Sequence, residues 1–100
     1  MSDQTSVKEN IDLLVTSPKM YIAVIYNDNH TPFNLVINML IKIFSKTEGD
    51  AKEITYNVHN NGYEVVLKSS YKYVKNKVDQ AHEFMAQYGY PNFKIEIEEE

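Results

Sequence analysis

Between Thr31-Pro32 and Asn60-Asn61-Gly62 the chain carries two helical patterns joined by only about two or three residues. Apolar residues recur at Phe33, Val36, Ile37, Leu40, Ile41 and Phe44, and Leu35, Met39 and Ile43 widen that stripe. Ala51, Ile54 and Val58 form a second, narrower one. Spacings of three and four residues place such side chains on one helix face. A link this short makes the two helices antiparallel neighbours, so the start of the first lies beside the end of the second. A helix apolar so far round must meet more than one partner or leave part of itself as a groove.

The ends of these helices are also written locally. Thr31 is expected to cap the first, with Pro32 at its first turn, where a missing N–H costs nothing. Thr47-Glu48-Gly49-Asp50 resembles a capping box with Asp in place of Glu. Asn60-Asn61-Gly62 supplies residues that tolerate a left-handed helix end.

Three strands complete the pattern. Met20 to Tyr26 (MYIAVIY) is short, apolar and β-branched, and stops at Asn27-Asp28-Asn29; it reads as a central strand buried on both faces. Tyr63 to Lys68 reads as a second strand. Ser69 or Ser70 can cap a third helix with Val74, Val78, Ala81, Met85 and Tyr88 on one face, stopped by Gly89 and Pro91. Phe93, Ile95 and Ile97 then alternate with Lys94, Glu96 and Glu98 in a third strand with one wet face. The order β-α-α-β-α-β implies an α+β, two-layer sandwich. A right-handed crossover between strands two and three, with strand one inserted between them, gives a three-stranded antiparallel sheet with three helices packed on it. Residues 1–19 are mostly polar without a sustained period and read as a flexible N-terminal arm; residues 20–100 form one core.

Composition narrows the function. With no cysteine among 100 residues there is no thiolate metal site, disulfide or cysteine nucleophile. A formal charge of −4 provides no global basic field for nucleic acid, and no stretch is long and apolar enough to span a bilayer. His30, His59 and His82 show no metal-ligand spacing, and three glycines make no phosphate loop. No metal, cofactor or catalytic residue is therefore expected.

The helix hairpin does force one constellation. It places Asn27, Asp28, Asn29, Thr31 and Phe33 near Thr55, Val58 and His59. The carboxylate, amide oxygens and neutral imidazole are acceptors suited to an ammonium group. Phe33, Val36 and Val58 supply an apolar wall for one hydrophobic side chain. A free peptide N-terminus with a large first residue offers both at fixed spacing. The same residues also have plain structural uses, as a turn, a helix-end histidine and core.

Tyr26-Asn-Asp-Asn-His-Thr-Pro-Phe33, then Val58-His59-Asn60-Asn61-Gly62, then Lys77-Val78 resemble the ClpS family of protease adaptors. The resemblance covers Met20 to about Ile97. It implies a non-catalytic adaptor that binds N-degrons, proteins with a free α-amino group and a bulky hydrophobic first residue. Such adaptors deliver them to the N-terminal domain of a ClpA- or ClpC-type AAA+ unfoldase. By resemblance Asn27, Asn29 and His59 hold the α-amino group, with Asp28 beside them. Thr31, Pro32, Phe33, Val36, Thr55 and Val58 form the hydrophobic pocket, and Lys77 matches a basic unfoldase-docking position. The chain is expected to be a cytoplasmic monomer. Asn29 stands where the family has an Asp, Phe33 and Thr55 replace methionines, and Lys72 replaces an acidic residue. These departures imply a pocket narrower at its mouth and more polar at its base. They also motivate a second reading: a ClpS-like interaction module with an altered or lost pocket that modulates the Clp machinery without delivering N-degrons.

Overall fold

The structure, a computed structural model, describes residues 18–100. The expected N-terminal arm lies almost wholly outside the described residues. The observed elements are β1 (Tyr21–Tyr26), α1 (Phe33–Phe44), α2 (Glu48–Asn61), β2 (Tyr63–Ser69), α3 (Tyr71–Gln87) and β3 (Ile95–Glu99). The sheet order is β2-β1-β3, with both neighbours antiparallel to β1. The apolar first strand is therefore central, as its composition implied.

Alternation along β1 sends Ala23 and Ile25 into the main core, where they meet Met39 and Leu40 of α1, Ala51 of α2, and Val74, Val78, Ala81 and Met85 of α3. Val24 faces the other way and is still 2% exposed. There the Tyr26 hydroxyl donates to the Glu98 carboxylate and its ring tilts against Tyr63. An irregularity in the β1–β2 register between Ala23 and Val24 pairs Ala23 with Leu67 and Val24 with Val65, leaving Val66 as the extra residue. Such a bulge bends an edge strand while the extra side chain can still pack, and Val66 is buried.

The helix ends explain how the hairpin closes. Ser45 takes a left-handed conformation (φ 57°) and its N–H donates to the Leu40 carbonyl. Thr47 then caps α2, its hydroxyl accepting from the Asp50 N–H at 3.1 Å, with Glu48 and Asp50 in the first turn complementing the helix dipole. Only Ser45, Lys46 and Thr47 separate the helices. Gly62 ends α2 at φ 93°, and its N–H returns to the Val58 carbonyl. Ser70 caps α3.

One local expectation is corrected. Thr31 does not cap α1. Pro32 occupies the cap position, and its carbonyl accepts from the Leu35 and Val36 N–H groups at 3.1 and 3.2 Å. The Thr31 hydroxyl is engaged elsewhere: it donates to Asp28 at 3.0 Å. A carboxylate three residues upstream is the stronger partner, and it draws the threonine out of the capping role.

Candidate functional site

The open end of the hairpin faces the β1–α1 loop. That loop is tied to the end of α2 by a 2.9 Å bond from the Asn27 N–H to the Gly62 carbonyl. Its shape is set by Asp28. One carboxylate oxygen accepts from the His30 and Thr31 N–H groups at 2.9 and 2.8 Å, and the other from the Thr31 hydroxyl at 3.0 Å. Partial burial pushes the Asp28 carboxyl up, but the bonds from Thr31 and His30 outweigh it and hold the group below its ordinary value. Asp28 is thus a charged staple that locks residues 28–31 in an Asx-type turn.

Beside this loop is a narrow notch with only about 20 Å³ of free space. Asn27, Asp28 and Thr31 line it from the loop, Phe33 and Val36 from α1, and Thr55, Val58 and His59 from α2. The convergence expected from the hairpin is present. Ile25 and Tyr26 of β1 and Phe93 before β3 also line the notch, and these the sequence reading did not include. A signal for Phe93 did exist. In an antiparallel pair, residues that precede one strand lie beside those that follow the other, and the Tyr26 N–H donates to the Lys94 carbonyl at 2.9 Å.

The remaining expected residues lie outside the lining. Asn29 is exposed on the solvent side of the turn that Asp28 closes. Pro32 is exposed too, acting through its backbone at the start of α1. Lys77 is on α3, away from the notch, with its ammonium 5.7 Å from the centre of the Tyr73 ring.

The rim is aromatic. The Phe33 ring meets His59 edge-on at 5.3 Å and Tyr56 edge-on at 5.7 Å. Phe33 and Tyr56 are both exposed. The base differs from expectation. Thr55 is buried, but its hydroxyl donates to the Ala51 carbonyl at 2.7 Å. Its hydrogen-bond demand is met inside α2, so it does not leave a polar base that seeks a partner. Among the described residues, the side chains of Asn27 and His59 make no hydrogen bond within the chain. No group among the described residues occupies their acceptor atoms. No group of His, Asp and Glu that could hold a metal occurs among the described residues, and no described helix is long and apolar enough to cross a membrane.

The family described as ATP-dependent Clp protease adaptor protein ClpS matches residues 16–92. An ATP-dependent Clp protease adapter protein ClpS from Clostridium acetobutylicum is 34% identical over 93 residues, covering 91% of this chain and 92% of its own length. That from Acetivibrio thermocellus is 33% identical over 91 residues, with 91% and 92% covered. Among solved structures, Agrobacterium tumefaciens ClpS2 bound to L-phenylalaninamide is similar with a TM-score of 0.78 and 25% identity, covering 83% of this chain and 99% of that one.

Proposed function

Since the chain belongs to the ClpS family, whose members are Clp protease adaptors and not enzymes, we propose that it binds the free N-terminus of a substrate polypeptide carrying a bulky hydrophobic first residue. It then presents that substrate, in the cytoplasm and as a monomer, to the N-terminal domain of a ClpA- or ClpC-type unfoldase.

The notch carries this reading. An α-ammonium has three N–H donors and one positive charge. The acceptors of Asn27 and His59, without a partner among the described residues, lie on the notch wall, and Asn29 offers a third from the adjoining turn. Asp28 supplies a fixed negative charge without having to leave its turn. The first side chain would lie against Phe33, Val36, Thr55 and Val58, with Thr31 on the wall and Pro32 fixing the rim backbone. L-phenylalaninamide, the molecule bound to the Agrobacterium protein, has this pairing of a free amine and an aromatic side chain. Lys77, half-buried against the exposed Tyr73 ring, is the proposed unfoldase contact.

The test compares a peptide beginning with free Phe, Tyr or Leu with its α-acetylated form. Acetylation removes the charge and two donors, so binding should be lost; equal binding of the two forms overturns the site. The position of Phe33 favours a second reading. Its ring stands at the mouth against His59, so a large side chain enters only if that ring swings aside. If free and acetylated peptides both fail to bind, but Asn29→Asp gains binding to the free form, the chain is a Clp-directed module whose pocket has been lost.

A further inference from the structure

The sheet has a second face, turned away from the helices. Ala23 and Ile25 enter the core with residues of all three helices, and Ile22, Val24 and Tyr26 alternate with them on the opposite side. Residues opposite one another in an antiparallel pair share a face. Tyr63 and Val65 of β2 lie opposite Tyr26 and Val24, and Glu96 and Glu98 of β3 lie opposite Val24 and Ile22. The Tyr26 ring is held on this face by Glu98 and Tyr63, although the residue also borders the notch. Tyr63 and Val65 are 55% and 41% exposed. The face is thus an apolar strip with two tyrosine rings at one end and carboxylates along one side.

Its charge follows from what each group meets. Among the described residues Glu96 makes no side-chain hydrogen bond or ion pair, and Glu98 accepts only from the Tyr26 hydroxyl. Of the two lysines at the ends of the face, Lys68 pairs with Glu100 at 2.7 Å, and Lys94 lines the groove beside Asp28. The bond to Glu98, then desolvation, then the charges of Glu98 and Glu96 hold the Tyr26 hydroxyl above its ordinary value. The middle of the strip is therefore apolar, aromatic and negative at once.

Arginine suits all three properties. Its planar guanidinium lies flat on a tyrosine ring, forks to a carboxylate and is more weakly hydrated than an ammonium. This chain has no arginine, so a second copy offers only lysine. Its first 17 residues carry three acids against one lysine and do not match a negative surface either. We propose that this face of the sheet docks a partner protein through an apolar segment that carries arginine. Such a contact leaves the helices uncovered and needs no free amine, so it stands apart from the notch.

The test titrates the isotope-labelled full chain, followed by NMR, with the peptide Ile-Arg-Val-Arg-Ile acetylated at its amine and amidated at its carboxyl end. Versions with Lys or Glu in place of both Arg run beside it. The amide signals of Ile22, Val24, Val65 and Glu96 should shift. The Arg peptide should bind about two- to three-fold more tightly than the Lys peptide, and the Glu peptide should not bind. Glu96→Lys should weaken the Arg peptide about three- to five-fold, the scale of an exposed ion pair, and added salt should weaken it in the unaltered chain. Val65→Lys, on the other side of the strip, should weaken it as well. No shift with the Arg peptide, shifts confined to the notch or α3, or equal binding by Glu96→Lys overturns the proposal. Shifts on this face that grow with protein concentration alone identify a second copy as the occupant and overturn it too.

Discussion

The middle of the α1–α2 hairpin and its open end share the same pair of helices and the same apolar stripes, yet one is core and the other is surface. Along α1, exposure rises from Leu40 at 0% through Val36 at 6% to Phe33 at 38%. Along α2, it rises from Ala51 at 0% to Val58 at 6%, and the next residue, His59, is exposed. At the closed end the Ser45–Thr47 link seals the helices. At the open end a polar loop, held in shape by Asp28, occupies the position that another apolar element would need to fill. A helix stripe can thus supply a core over most of its length and an open wall at its end turn, provided that something polar and rigid keeps that turn from being covered.

Mutations in the two regions should separate these uses, beginning with the largest effect. Leu40→Ala removes a fully buried side chain and should cost about 2–5 kcal/mol. Calorimetry should show melting lowered by about 8–40 °C, at about 4–8 °C per kcal/mol for a domain of this size. Phe33→Ala, on the same stripe, should change melting far less while altering which first residues bind. Equal destabilisation by the two would mean that the open end is ordinary core.

Next is the staple. Asp28→Ala removes the acceptor for three donors and should cost about 1–2 kcal/mol, together with a loss of ligand affinity. Its pH signature follows from linkage. The carboxyl is held below its ordinary value in the fold, so its stabilisation is complete above the unfolded value near 3.9. That stabilisation is lost as pH falls through the folded value. The melting difference between the unaltered chain and Asp28→Asn should therefore be constant near neutrality and close below about pH 4. A gap that persists into strong acid would show that the charge is not what holds the turn.

Asn29→Asp comes third. It adds a charge at an exposed position beside the proposed amine site and should strengthen binding of a free-amine peptide up to about ten-fold, with little change in melting. Titration by fluorescence anisotropy checks it; an unchanged affinity places residue 29 outside ligand contact.

These positions also mark what could be read from the sequence. The elements and their order were legible, because hydrophobic periods of 3.6 and 2 are carried by every element, and the short link fixed which helix ends meet. The notch was legible for the same reason. The Thr31 cap was misassigned because a nearby carboxylate won its hydroxyl, a competition that propensities do not weigh. Thr55 looked like a polar base, but α2 itself absorbs the hydroxyl. Phe93 is distant in the chain and reaches the notch only through the β1–β3 pairing, which periodicity alone does not supply. Tyr88, placed by its spacing on the apolar face of the third helix, is more than half exposed because it sits just past the end of α3.

The smallest effect belongs to the closed end. Ser45 is the only non-glycine among the described residues with positive φ, and it sits in the left-handed region where a Cβ crowds the following carbonyl. Glycine there would relieve about 1 kcal/mol of strain but lose more backbone entropy on folding, so Ser45→Gly should gain about 0.5 kcal/mol and Ser45→Ala nothing. The two variants differ only in the Cβ, which makes the contrast diagnostic. A Gly variant that melts a few degrees higher while peptide affinity stays fixed would show that the seal can be tightened without reaching the notch. If affinity moves with it, the two ends of the hairpin are mechanically coupled, and the binding end is held open partly by strain at the closed one.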